Sequence, residues 1–453
     1  MNIHLQERAD DLPDGYLVSK SQAWFAFAMT FALMLFDYVD RQVIVSLFPH
    51  LKAEWGLSDK QLGGLVSIIS IVVAAGGIPV ALLADRVSRV KSIVAMATTW
   101  SLATIACMFA VNYGQLFAAR AMVGVGETGY GSVGAALIAG LFPKRLRAAL
   151  MGAFFSAVSI GSVLGVLLGG VISARWGWHA AFGVVGIPGL VFALAYIFVR
   201  DYKTVPLTAT LDRATQSGPK LLVHIAKSLA RTKTLIWLCL GGATQLIVVS
   251  AVWSWLPSYL NRFHGYSTEQ SAKQAALVVL VGALGSLIWG IVVDRLAVPR
   301  ARNKLMALAV LCVASMLVLL VGFAATPVGP AQLRWIMLGG FLMTCAFGAV
   351  AAAALDVIHP GVRSTGAAVV SLFQNLCGLA VGPFLAGLLS DLWGLQQAMA
   401  VIPGFGLLAA GCFLMAMRGY ERDLAQVKDV ELSAQLHNDL GELVHSTSAE
   451  LRS

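Results

Sequence analysis

Apolar residues run along this chain in long blocks. They show neither the narrow stripe of a soluble amphipathic helix nor the alternation of a half-buried strand. Twelve blocks come close to or exceed the ~20 residues that a helix needs to cross a bilayer: 22–48, 60–83, 92–111, 115–141, 148–172, 180–199, 234–257, 270–293, 303–323, 333–355, 364–389 and 396–417. The pattern predicts an all-α integral membrane protein of 12 transmembrane helices. One long polar break splits the twelve into six and six. The predicted organisation is an N-terminal tail (1–21), a six-helix bundle (22–199), a loop (200–233), a second six-helix bundle (234–418) and a C-terminal tail (419–453). Within the loop, "GPKLLVHIAKSLART" reads as a short amphipathic helix lying on the membrane surface.

The two halves repeat. "ALLADRVSRVK" (81–91) follows span 2 and "GIVVDRLAVPR" (290–300) follows span 8, placing Asp85-Arg86 and Asp294-Arg295 at matching positions 209 residues apart. Gly161, Gly165, Gly170 and Trp176 in span 5 are each 217 residues before Gly378, Gly382, Gly387 and Trp393 in span 11. An internal repeat of six helices predicts two pseudo-symmetric bundles with a site between them.

Composition agrees with this picture. The chain is 58% hydrophobic and 12% charged, where a soluble domain is about a quarter charged. A net charge of +9 would by itself admit nucleic acid as a partner. Its distribution excludes that reading. With both termini on the cytoplasmic side, 24 of the 32 Lys and Arg lie on that side, 6 on the other, and Arg41 and Arg120 within spans. This is the positive-inside asymmetry of a membrane protein. No basic region precedes the first apolar block, so no cleavable signal peptide is expected. The six cysteines all fall inside predicted spans, as small buried apolar residues rather than a disulfide or metal framework.

Charges inside the spans are the strongest functional signal. "FDYVDRQVIV" (36–45) carries Asp37, Asp40 and Arg41, and "RAMVGVGETGY" (120–130) carries Arg120 and Glu127. Arg120 and Glu127 differ by about 20° in azimuth and about 10.5 Å along a helix, so they share one stripe. Spans 1 and 4 run in opposite directions, which puts Asp40 opposite Arg120 and leaves Glu127 within water-mediated reach. Unpaired, the five groups would cost on the order of 12–17 kcal/mol. They must pair, line a wet cavity or be protonated. The residues themselves leave two readings open, a structural ion-pair network and a proton-coupling site. Asp37, four residues before Arg41, reads as a charge partner.

The second half offers amides and aromatics instead: Gln245, Trp253, Trp255, Gln374 and Asn375. Gln374 and Asn375 lie mid-span, where an uncompensated amide is costly. Trp253 and Trp255 fit an interfacial belt equally well. A charged bundle facing an amphipathic one suggests a substrate with a polar head and an apolar body. Asp356 and Asp391 sit at span ends, as caps or latches. "GVGETG" (124–129) matches a dinucleotide fingerprint but follows no strand and lies mid-span; it reads as a thin packing face. His179 and His359 read as ordinary loop residues.

"ALLADRVSRVK" resembles the signature loop of the major facilitator superfamily, with Ala81 and Ser88 where glycines are usual. The resemblance implies a gating latch at Asp85, with Arg86 and Arg89, and by the repeat at Asp294 and Arg295. "YVDRQ", "RAMVGVGETGY" and "DVIHPGVRSTGAAVVSLFQN" resemble the spinster-like branch. That likeness implies proton coupling and substrate handling by Asp40, Arg41, Arg120 and Glu127. The expected function is secondary active transport by alternating access of a small organic solute, an organic anion such as a sugar or aromatic acid, in symport with protons. Arg41 and Arg120 would hold the anion, with Gln245, Trp253, Gln374 and Asn375 on the other wall. Movement of an amphipathic lipid-like molecule is the alternative, and a non-transporting sensor the rival from another class. No ATP-binding motif, metal cluster or catalytic triad is present in the sequence. The expectation is therefore no enzyme, no cofactor beyond the coupling proton, and a monomer in a bacterial cytoplasmic membrane.

Overall fold

The computed structural model describes residues 16, 18–199, 232–358 and 363–450. The polar loop at 200–231, with its expected surface helix, lies outside the described residues, as do most of the N-terminal tail and His359. Every regular element among the described residues is a helix. Among the described residues, eleven helices are long and apolar enough to cross a membrane. The twelfth expected span, 115–141, is present but broken: Tyr113–Glu127 and Tyr130–Leu141 are separate helices. The break sits at Gly129, whose φ of +83° is open to glycine at little cost.

Span 1 is Lys20–Val43, tightening into a 3₁₀ turn at Ile44–Ser46, and a short helix at Phe48–Trp55 follows. Span 2 is Asp59–Val87, span 3 Arg89–Met108, span 5 Lys144–Trp176 and span 6 Trp178–Ala195. In the second half, span 7 is Lys233–His264, span 8 Thr268–Ala297 and span 9 Asn303–Leu320. Span 10 is broken like span 4, into Pro330–Met343 and Ala346–Asp356. Span 11 runs Arg363–Phe373, a π turn at Gln374–Leu379, then Val381–Trp393. Span 12 comprises Leu395–Val401 and Phe405–Glu450, so its helix continues through the expected C-terminal tail.

The repeat is visible in local chemistry. A left-handed glycine, Gly56 or Gly265, closes the preceding helix. Two residues later a serine and a glutamine form a reciprocal capping box, Ser58 with Gln61 and Ser267 with Gln270, and start spans 2 and 8. The corresponding residues are again 209 apart. The breaks in spans 4 and 10 also correspond, with Thr128 after Glu127 and Thr344 after Met343.

Span 2 packs along span 11 and span 5 along span 8, which makes two seams between the bundles. Spans 1, 4, 7 and 10 lie between those seams. The apolar core has three parts. One cluster joins both bundles, running from Val39, Phe48 and Trp178 to Trp255, Ala272 and Met399. The other two are confined to single bundles, one around Trp100 and Tyr130, the other around Leu308 and Phe413. The shared cluster occupies the half that carries the 47–58 connection, the outer half under the basic-residue asymmetry. The molecule is therefore closed on that face and divided on the opposite one.

Candidate functional site

Span 1 and the first helix of span 4 bring all five intramembrane charges together, in two groups. Arg120 Nη1 donates to Asp40 twice, 3.3 Å to the backbone carbonyl and 3.4 Å to Oδ1. Thr104 of span 3, also buried, donates its hydroxyl to Trp100 O of its own helix at 2.9 Å. The second group centres on Arg41. Its Nε donates to Asp37 Oδ1 at 3.1 Å, one helical turn back, and lies 2.8 Å from Glu127 Oε2. The Arg41 guanidinium also sits 5.2 Å from the centroid of the Tyr38 ring. The sequence spacing placed Asp40 opposite Arg120, and the structure has that pair. Glu127 is in direct ion-pair contact with Arg41, closer than the water-mediated reach expected.

Exposure separates these residues. The side chains of Asp37, Asp40, Arg120 and Glu127 are 4% exposed or less, whereas Arg41 is at 16%. Glu127 Oε1 and Asp40 Oδ2, both buried, accept no hydrogen bond within the described protein. Three carboxylates face two guanidiniums, so the cluster carries one negative charge in excess when all are ionised. A single proton balances it. Buried charge in a low-dielectric interior is tolerated only when balanced or neutralised.

The second-bundle candidates scatter. Gln245 is buried and turned into its own bundle, donating to Met343 O at 2.9 Å and to Ser315 Oγ at 3.4 Å. Met343 is the last residue before the break in span 10, so Gln245 satisfies a carbonyl freed by that break. It holds the bundle together and does not line the space between bundles. Trp255 is fully buried with Nε1 bonded to Pro383 O at 2.9 Å, so it belongs to no interfacial belt. Trp253 is half-buried and stacks with Phe347 of span 10. Gln374 and Asn375 open the π turn of span 11; Asn375 donates to Ser371 O of its own helix at 2.9 Å. π turns interrupt the regular ladder and recur at functional positions.

The expected gating residues divide. The side chains of Asp85 and Arg86 lie outside those described. Arg89 reaches Ala136 O of span 4 at 3.3 Å. Asp294 lies 3.1 Å from Lys304, which also pairs with Asp356 at 3.6 Å, while Tyr420 donates to Asp356 at 2.9 Å. This cage ties spans 8, 9, 10 and 12 within one bundle, and Arg295 beside it is exposed. Among the described residues, neither Asp294 nor Arg295 pairs with the first bundle.

The family model of the Major Facilitator Superfamily matches residues 30–379. The chain is 28% identical over 455 residues to Protein spinster homolog 1 of Xenopus laevis, covering 92% of this chain and 84% of that protein. It is 28% identical over 406 residues to the sphingosine-1-phosphate transporter SPNS2 of Danio rerio, covering 84% of this chain and 78% of that one. In fold it is similar to the crystal structure of a bacterial homolog of the human lysosomal transporter Spinster in an inward-facing, occupied conformation. That match has a TM-score of 0.79 at 22% identity, covering 90% of this chain and 99% of the other. The chain belongs to the Major Facilitator Superfamily, where it is a spinster-like transporter of the multi-pass membrane type.

Proposed function

We propose that this transporter moves an amphipathic organic anion in symport with a proton, and that the Asp37–Arg41–Glu127 group performs the coupling. The observation that carries the reading is the exposure of Arg41 in front of two buried carboxylates. With both carboxylates ionised, Arg41 is fully engaged and the group repels an anion. A proton on Glu127 removes one of its partners, and the freed side of the guanidinium accepts the anionic head of the solute by charge-assisted hydrogen bonds. Loss of the proton returns Arg41 to Glu127 and expels the anion. Proton and anion thus favour each other's binding, which is the thermodynamic content of symport. Asp40 and Arg120, buried behind, fix the orientation of span 1. The half-buried Trp253 and the exposed Phe347 supply an apolar wall for the body of the solute. The likeness to a sphingosine-1-phosphate transporter supports a head-and-tail solute over a compact sugar or aromatic acid. The site of action is the cytoplasmic membrane, with both termini inside.

The test uses purified protein in liposomes loaded with a pH-sensitive dye. Lysolipid phosphates, sugar acids and aromatic acids are added to wild type and to Glu127→Gln. Internal acidification driven by a lysolipid phosphate, absent in Glu127→Gln, supports the proposal. Solute uptake without proton movement, equal in both proteins, would make the chain a facilitator and the charge cluster a structural network.

A further inference from the structure

At the closed face the two seams are alike in backbone and unlike in chemistry. A β-carbon added to Gly387 of span 11 would meet the Asp59 carbonyl at the start of span 2. One added to Gly170 of span 5 would meet the Thr268 carbonyl at the start of span 8. Gly170 and Gly387 are 217 residues apart, and Asp59 and Thr268 are 209 apart, so the contacts are copies under the repeat. Both seams are therefore packed as tightly as glycine allows.

Only one is bonded. Asp59, 2% exposed, accepts two hydrogen bonds from Arg262 of span 7, at 2.6 and 2.8 Å, and one from Ser390 of span 11 at 2.5 Å. Lys52, from its own bundle, adds a fourth at 2.5 Å. Asp391 answers from the second bundle, accepting the backbone N–H groups of Asp59 and Lys60 at 2.8 Å each. Those N–H groups open a helix, where a carboxylate is favoured by the backbone dipoles. Thr268 stands where Asp59 would be in the other seam. Its neighbour Glu269 reaches Arg175 at 4.0 Å, with side chains 27% and 61% exposed. Exposed pairs of that kind contribute little, whereas a buried, two-pronged Arg–carboxylate contact is strong and directional.

We infer that Asp59, with Arg262 and Asp391, bolts the closed face along the span 2–span 11 seam. The span 5–span 8 seam, packed but tied by that exposed pair rather than by buried bonds, is the side about which the bundles turn. Opening this face must break the Arg262 and Ser390 contacts, while Lys52 stays with Asp59 and keeps its charge paired once water enters. The inference depends on neither the solute nor the coupling ion.

The test places spin labels through a ketone amino acid at Val111 and Val328, exposed positions in loops of opposite bundles on this face, which leaves the native cysteines intact. Distance distributions are recorded in lipid nanodiscs, without solute. Asp59→Asn is expected to raise the long-distance, open population at least tenfold over wild type. Arg262→Gln reads the same contact from the other bundle and should match it, which covers the case in which one variant fails to fold. Glu269→Gln and Arg175→Gln should change the population less than twofold. An unchanged distribution in both bolt variants would overturn the inference, and so would equal shifts from breaking the two seams.

Discussion

Spans 4 and 10 occupy the same place in the two bundles and are broken at the same point, yet the breaks do different work. Both interrupt the helix beside a threonine, and in both the hydroxyl turns back to bond a backbone carbonyl. Thr128 bonds Gly124 O at 2.6 Å, and Thr344 bonds Phe341 O at 3.3 Å while also reaching Gly282 O of span 8 at 2.8 Å. In span 4 the preceding residue is Glu127, opposite Arg41. In span 10 it is Met343, buried in an apolar cluster, with Gln245 spanning the gap to its carbonyl. The repeat preserves a backbone device for ending a helix inside the membrane. Side chains then make one copy a charge site and leave the other a packed joint. A half-helix end at mid-membrane is a place where polar chemistry can be introduced at low cost, because its backbone is already being satisfied by side chains.

Making the two breaks alike is the strongest way to test that contrast. Glu127→Met copies the span 10 arrangement into span 4 and should abolish solute-driven proton movement in liposomes, a loss of at least about 100-fold, the upper end of general acid–base effects being larger still. Met343→Leu in span 10 should leave proton movement intact and cost about 1 kcal/mol of stability, as volume-conserving core exchanges do. Arg41→Lys keeps the charge but loses the planar fork; solute affinity, measured by competition, should fall about tenfold, equivalent to ~1.4 kcal/mol, while proton dependence persists. Gln245→Leu removes one buried hydrogen bond at the span 10 break. Thermal melts should show a destabilisation of about 1–3 kcal/mol with transport selectivity unchanged. If selectivity changes instead, the amide lines the solute path after all.

The smallest effect is expected at His50, in the short helix after span 1. Burial holds its imidazole below the usual histidine pKa, with Glu54 opposing. A histidine depressed in the folded state resists protonation there, so the fold loses stability as pH falls through the ordinary histidine range near 6.5. His50→Gln should flatten the dependence of melting temperature on pH between 7 and 5.5 without altering the pH dependence of transport.

Hydrophobic block length made the twelve spans legible, and the offsets of 209 and 217 residues made the two bundles legible, because bilayer thickness and repetition act on every residue of a span. The charge cluster was legible for the same reason: five ionisable residues in lipid demand partners, and helix geometry limits who those partners are. The break in span 4 was hidden because Thr128 and Gly129 are ordinary in an apolar run and only the left-handed backbone at Gly129 reveals the turn. Gln245 misled because a mid-span amide signals an unmet hydrogen bond without saying whether a solute or a broken backbone needs it. The Asp59 contacts were hidden behind a conventional helix start, "LSDKQ", whose serine and glutamine account for the local pattern. Their long-range partners Arg262 and Ser390 lie about 200 and 330 residues further on. Asp294, by contrast, carries the signature-loop chemistry and spends it on Lys304 within its own bundle.

The apolar cluster shared by the two bundles bears on the lifetime of the protein as well as its transport cycle. While that cluster is intact, neither bundle can unfold without exposing part of the other's core, so the pair should melt as a single cooperative unit. Opening the bolted face splits the cluster, and for that interval the chain is two smaller units of independent stability. Turnover therefore carries the molecule repeatedly through its least cohesive form. Quality-control proteases that sample partly unfolded chains should remove busy transporters faster than idle ones.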